Sequence, residues 1–259
     1  MATRLNKNHA GKVLYLYGIT KAPARNAPEV AGIDGSAAVE RIPCAGLVCW
    51  ISRVSNSEFA DNLSTNMENL EWLAAVSVRH QRVVSAIAQR HDILPTRFGT
   101  VFLSEDSLAE DVRARKRGLE RDLKRVTGSD EWGIKVFRLH SRTEAAIEAS
   151  SGKAYLQKKA ALLRSRESKS QNGEIGDLAE ALKSISGEMA YGGAVSEGQR
   201  GLQWQASVLL RRSNRKRLEA VIRKFAQQWQ GIRRIECSGP WPPYSFVSRT
   251  EKNSTRATQ

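Results

Sequence analysis

Cysteine is scarce in this chain of 259 residues: Cys44, Cys49 and Cys237 are the three present. Met1–Lys12 is polar and basic and lacks the apolar run of an export signal. An odd cysteine count without export argues against a disulfide framework. Cys44 and Cys49 lie in an apolar stretch and read as small buried hydrophobes. A zinc site would require a second Cys/His pair nearby, and none is there. No stretch approaches the roughly 20 apolar residues that cross a bilayer. The expectation is a soluble, cytoplasmic protein with no membrane contact.

Catalytic signatures are missing too. There are four histidines. His9 lies in the polar start, and His140 stands alone at a strand end. His80 and His91 share one helix face, but their spacing separates them by roughly 16 Å, too far for one metal. They read as packed residues with satisfied ring nitrogens. Gly192-Gly193-Ala194-Val195-Ser196-Glu197-Gly198 lacks the Gly-Lys-Ser/Thr ending of a phosphate loop and matches no dinucleotide fingerprint. No nucleophile elbow, zinc-protease helix or paired Cys-x-x-Cys occurs. The reading is a non-enzyme without cofactor or metal.

What the chain does have is a core and a charge. Its 41% apolar content suffices for one large domain or two small ones. The net charge of +14 is unevenly placed. Residues 1–140 carry 20 Lys and Arg against 16 Asp and Glu, whereas residues 141–259 carry 21 against 11. A basic C-terminal half suits nucleic acid, an acidic protein surface or an anionic membrane, and charge alone does not choose.

Val13–Ile19 and Leu47–Val54 read as strands, with a short one over Ala37–Ile42. Asn69–His91 reads as a helix whose Leu70, Leu73, Ser77, His80, Val84, Ile87 and His91 share a face. Pro95 stops it. Thr96–Leu103 has strand composition. Ser104 caps a helix that runs through Val126 and stops at Gly128. Trp132–Leu139 is the next strand. This β-β-α-β-α-β order resembles the split β-α-β, ferredoxin-like arrangement, an antiparallel-rich sheet with helices on one side.

Beyond Ser141, Lys153–Ser168 and Ile175–Met189 read as helices, and Tyr191–Gly201 as a strand and turn. Leu202–Leu210 alternates as a half-buried strand. Asn214 is a candidate cap for a helix ending at Gly231, and Ile232–Cys237 is a last strand. The class is therefore α+β, with a ferredoxin-like domain over 13–140 and a smaller α+β domain over 141–248. Residues 1–12 and 249–259 read as flexible tails.

RNA binding is the rival function. A ferredoxin-like sheet with basic charge fits an RNA-recognition domain. Yet Thr96-Arg97-Phe98-Gly99-Thr100-Val101-Phe102 lacks the basic-Gly-aromatic start and places Thr100 where an aromatic is wanted.

Three segments stand out as candidate contact sites. Arg211, Arg212, Arg215, Lys216 and Arg217 form the densest run of charge, set against a helix dipole. Ile93–Thr100, with Arg97, Phe98 and Gly99, is a proline-broken entry into a strand. Gly239–Phe246 holds three prolines in four positions, which fix φ and remove donors. It reads as a stiff extended arm carrying Trp241 and Tyr244, packed either on the protein's own core or against a partner.

In this order the blocks resemble the gas vesicle protein F / protein L family. Tyr15-Leu16-Tyr17-Gly18-Ile19 matches its opening strand. Val78 and His80, Ile93-Leu94-Pro95 and Arg97-Phe98-Gly99-Thr100 match its central block. Glu131–Val136, Gly152–Leu156 and Gly239–Phe246 follow in register. The resemblance implies a modified ferredoxin-like N-terminal domain and an α+β C-terminal domain. It further implies a cytoplasmic, non-catalytic accessory or minor component of gas vesicles. Its partners would be the small hydrophobic shell protein and other accessory proteins. The strong basic charge and the polar tail after Val247 depart from the family pattern.

Overall fold

The computed structural model describes residues 11–139, 173–192 and 201–248. His9, His140, the helix expected over Lys153–Ser168, the Gly193–Gly198 turn and the C-terminal tail lie outside the described residues. The chain divides into two compact units, 1–128 with 242–259, and 129–241. This differs from the division expected at residue 140.

In the first unit, strand β1 (Lys12–Lys21) is buried at every position but its ends. It pairs antiparallel with β3 (Leu47–Ser55) on one side. On the other side it pairs with β4 (Ile93–Pro95) and β5 (Val101–Phe102). Strand β2 (Glu40–Cys44) completes the order β2-β3-β1-β4. Its turn to β3 uses Ala45 and Gly46, with φ of 51° and 86°. Positive φ at both residues of a two-residue loop is the hairpin geometry that matches strand twist.

A π-helical turn (Ser57–Asp61) and helix α1 (Leu63–Glu68) lead into helix α2 (Leu70–Ala88). The Asn69 side chain caps α2 by accepting from the Glu71 and Trp72 amides, at 3.0 and 3.1 Å. Val76, Val83, Val84 and Ile87 pack with Val13, Tyr15, Tyr17 and Trp50 in one core. Helix α3 (Glu105–Val126) begins with a reciprocal cap between Ser104 and Ser107. It lies against β1, β2, β4 and β5, and its buried Leu108, Val112, Leu119 and Leu123 are not part of the α2 core. The sheet is therefore covered on both faces, not on one as expected. The unbroken apolar run Val13–Leu16 fits that, because a strand covered on one face alternates.

The strand expected over Thr96–Leu103 is broken. Thr100 turns back on Arg97, donating from Oγ1 to its carbonyl at 2.7 Å. Gly99 sits between them at a φ of 78°. Only short β4 and β5 flank this turn.

The second unit is a four-stranded antiparallel sheet in the order β7-β8-β6-β9. Strand β6 (Ser129–Arg138), expected to close the first domain, is central here. The helix expected over Ile175–Met189 is helix α4, described over 173–185, and β7 (Glu188–Tyr191) follows. Strands β8 (Leu202–Arg211) and β9 (Arg233–Trp241) enclose helix α5 (Arg215–Gln228) in sequence. Trp132, Ile134, Val136, Val208 and Leu210 of the sheet pack against Leu178, Leu182, Leu218, Phe225 and Trp229.

Asn214 precedes α5 but does not cap it: its backbone sits at φ -92°, ψ 3°, away from the extended cap conformation, and its side-chain amide instead donates to the Ile185 carbonyl at 2.9 Å. The two asparagines therefore differ in role. Replacing Asn69 with Ala removes a true cap and should lower stability by about 1 kcal/mol. Urea unfolding of N69A checks this.

Candidate functional site

The first unit gathers its polar chemistry around His80. This residue sits on the inward face of α2, among Tyr15, Tyr17, Phe98 and Tyr244. Tyr15 and Tyr17 reach it because residues two apart on a strand share a face. The Tyr15 hydroxyl bonds His80 Nδ1 at 2.9 Å, and the Tyr244 hydroxyl bonds Nε2 at 3.1 Å. The Gly99 amide donates to the Tyr15 hydroxyl at 3.2 Å. Both ring nitrogens are satisfied, the packed state read from the sequence.

Burial dominates the protonation of this cluster. It pushes the His80 pKa down to about 4 and the Tyr17 phenol up to about 12. Tyr15 is pushed up by burial as well. A neutral imidazole between two neutral phenols holds no charge, and Phe98 covers it at ring distances of 6.0 Å from His80 and 6.3 Å from Tyr15.

The closing segment does not run extended throughout. Gly239 and Pro240 form a bulge in β9 opposite Trp132, with a cis peptide between them. Gly239 has a φ of 142°, and a Cβ there would lie 2.9 Å from the Glu131 carbonyl and the Trp132 ring. Trp241 ends the strand 43% exposed, its indole N–H donating to Ser238 Oγ at 3.3 Å.

Pro242–Ser248 then belongs to the first unit. Tyr244–Phe246 forms one 3₁₀ turn. Tyr244 reaches His80, Phe246 is buried, and the Phe246 carbonyl accepts from Arg125. Buried Asp122 accepts from the Ser248 amide at 3.0 Å and from its hydroxyl at 2.9 Å. The two aromatics expected to act together are thus separated: Tyr244 faces inward and Trp241 faces solvent.

Other candidates divide likewise. Phe98 and Gly99 join the His80 cluster, while Arg97 is exposed. In the second unit, Arg212 pairs with Asp130 at 3.0 Å. Arg215 pairs with Glu219 at 3.0 Å and lies over the Trp132 ring. Arg211, Lys216 and Arg217 are exposed. Neither Tyr15 nor Asp122 is among the contact residues the sequence suggests. The signal for Tyr15 was Tyr15-Leu16-Tyr17 itself, two phenols on one strand face opposite a buried histidine. Asp122 gave none. Among the described residues no cluster of His, Cys, Asp and Glu is placed to hold a metal ion, and no helix is long and apolar enough to cross a membrane.

Comparison with known proteins settles the family. The model of the gas vesicle synthesis protein GvpL/GvpF family matches residues 13–248. The chain belongs to the GvpL/GvpF family. It is 25% identical to gas vesicle protein L of Streptomyces sp. (strain CB03234), over 93% of this chain and 95% of that protein. The fold resembles the crystal structure of GvpF from Anabaena sp. PCC7120, with a TM-score of 0.71 at 17% identity, covering 92% of this chain and 97% of that one. GvpF from Microcystis aeruginosa gives 0.69 at 17% identity, covering 92% and 99%.

His80 makes stability depend on pH in this GvpL/GvpF chain. The unfolded chain, with an ordinary histidine near pH 6.5, takes up the proton first as pH falls. Its contribution is therefore complete above about pH 6.5 and lost as pH drops toward 4, at most about 3 kcal/mol. The urea midpoint of the wild-type chain should fall across that window, and H80Q should flatten the fall. Y244F, which strands Nε2, should lower stability by about 1 kcal/mol at neutral pH.

Proposed function

We propose that this GvpL/GvpF chain is a non-enzymatic assembly protein of the cytoplasm and the gas vesicle. It binds the shell protein or other accessory proteins and presents them for growth of the shell. The name of the matching family supports the setting. The observation that carries the contact is an apolar stripe on the outer face of α2. Leu70, Ala74 and Val78 recur at steps of four along α2, and all three are exposed. Leu70 is 78% and Val78 59% exposed.

Helix α2 is thus apolar on two faces. Its inward face supplies the core, centred on Val76, His80 and Val83, and Leu70 and Ser77 lie outside that face. The outward stripe has no role in that core. Exposed contiguous apolar side chains mark contact sites more often than chance solvent exposure. A hydrophobic shell subunit is the matching chemistry. The strand-like platform that RNA binding requires is a turn here, with Phe98 packed onto Trp72 and His80.

Two measurements test this. Deleting the gene in a buoyant host should abolish or malform vesicles, and normal vesicles would overturn the assembly reading. In a pull-down, L70E/V78E should lose the shell protein while keeping the unfolding free energy within about 0.5 kcal/mol of wild type, as surface changes do.

A further inference from the structure

Helix α5 carries a second unexplained face. Its buried side holds Leu218 and Phe225, with Val221 and Ile222 half-buried beside them. On the opposite side Lys216, Arg217, Ala220, Arg223, Lys224 and Gln227 are all exposed. The spacing of three and four puts them in one stripe. The two pairs of cations lie seven residues apart, roughly 10.5 Å or two turns.

No carboxylate lies on this face. Glu219, the one acidic residue of α5, is on its flank and is engaged by Arg215. Among the described residues none of Lys216, Arg217, Arg223 and Lys224 has an ion-pair partner. The Lys224 ammonium lies 5.7 Å over the Phe225 ring, a contact that brings no opposite charge to it. Lys216 and Arg217 also stand in the first turn of a helix with no acidic residue there, against its dipole.

Helix α3 supplies the contrast. Its exposed face carries Arg113, Arg117, Arg121 and Lys124, equal in number. There the acidic Asp106 and Glu110 share the face, none of the four cations stands in the first turn, and Lys124 lies in the last turn, where the dipole favours it. The cations of α3 share their face with carboxylates and avoid the positive end of the dipole; those of α5 do neither.

We infer that the outer face of α5 is a docking surface for an acidic protein segment, a helix bearing carboxylates at matching two-turn spacing. Charge complementarity sets the partner's sign, and the helical stripe sets its geometry. A nucleic acid strand fits less well. Non-specific single-strand binding couples cations to exposed aromatic platforms, and the aromatics of this helix region, Phe225 and Trp229, are both buried on the other side. The inference deepens the assembly reading by naming the chemistry of one partner, and it rests on that reading for the partner's setting. Its test uses the purified full chain, so it stands or falls apart from any effect on vesicles.

The probes are a labelled helical peptide of about 20 residues with glutamate at steps of three and four, and an oligouridylate of similar charge. Fluorescence anisotropy is read at about 0.05 and 0.15 M salt. Two variants remove the same charge: K216Q/R217Q/R223Q/K224Q on α5 and R113Q/R117Q/R121Q/K124Q on α3. Glutamine preserves helix propensity, and circular dichroism confirms the fold of each. The α5 variant should weaken peptide binding by about tenfold or more, and the α3 variant by less than about twofold. Salt should weaken the wild-type complex. Equal losses in both variants would mean that net charge alone attracts the peptide. Tighter binding of oligouridylate than of peptide would favour nucleic acid. Either result, or no binding of the peptide, overturns the proposal.

Discussion

The bond between Tyr244 and His80 spans 164 residues of sequence, and the architecture follows from the need to make it. The chain leaves the first unit after α3, builds a whole second sheet, and must then return to finish the first core. Closing so long an excursion is costly only if the intervening chain is loose. Here it is folded. The strands that begin and end the second unit, β6 and β9, are neighbours, and Glu131 lies opposite Trp241. Entry and exit of the inserted unit are therefore adjacent. The returning segment meets Asp122 and Arg125 near the end of the helix from which the chain departed.

Order in the closing segment is then a consequence of packing. Three groups hold it: the imidazole of His80, the carboxylate of Asp122 and the guanidinium of Arg125. The last two also bond each other, at 3.2 Å, so neither is left as an isolated charge when the segment covers them. Each contact depends on the others being in place, because a buried carboxylate or imidazole without partners is destabilising.

Much of this was legible in the sequence, and the exceptions have identifiable causes. β1 and β8 declared themselves by composition and alternation, and Ser104 by its place before an acidic first turn. The break between β4 and β5 was hidden because Thr96–Leu103 has good strand formers; only the left-handed Gly99 interrupts them. The unit boundary was hidden because β6 follows α3 after a tight glycine turn, which looks like continuation, whereas strand partnership is a long-range property. Asn214 has a cap's residue type, but its backbone is not extended and its side chain turns to the end of α4. In the candidate site, His80 was visible as a packed histidine, while its partners Tyr15 and Tyr244 required the third dimension.

The Gly239–Phe246 segment is unusual in composition for reasons internal to the fold. Gly239 is required by a bulge that admits no Cβ. Pro240 follows at the strand end, where a ladder donor is dispensable. Tyr244 and Phe246 are spent inside the first unit. Packing inside the first unit therefore accounts for Tyr244 and Phe246, while Trp241 stays 43% exposed at the strand end. Contact surfaces are better sought where folding leaves chemistry unexplained. Two places meet that criterion: the apolar stripe of Leu70, Ala74 and Val78 on α2, and the cationic face of α5. They lie on different units and differ in kind, one matched to hydrophobic surface and the other to carboxylates.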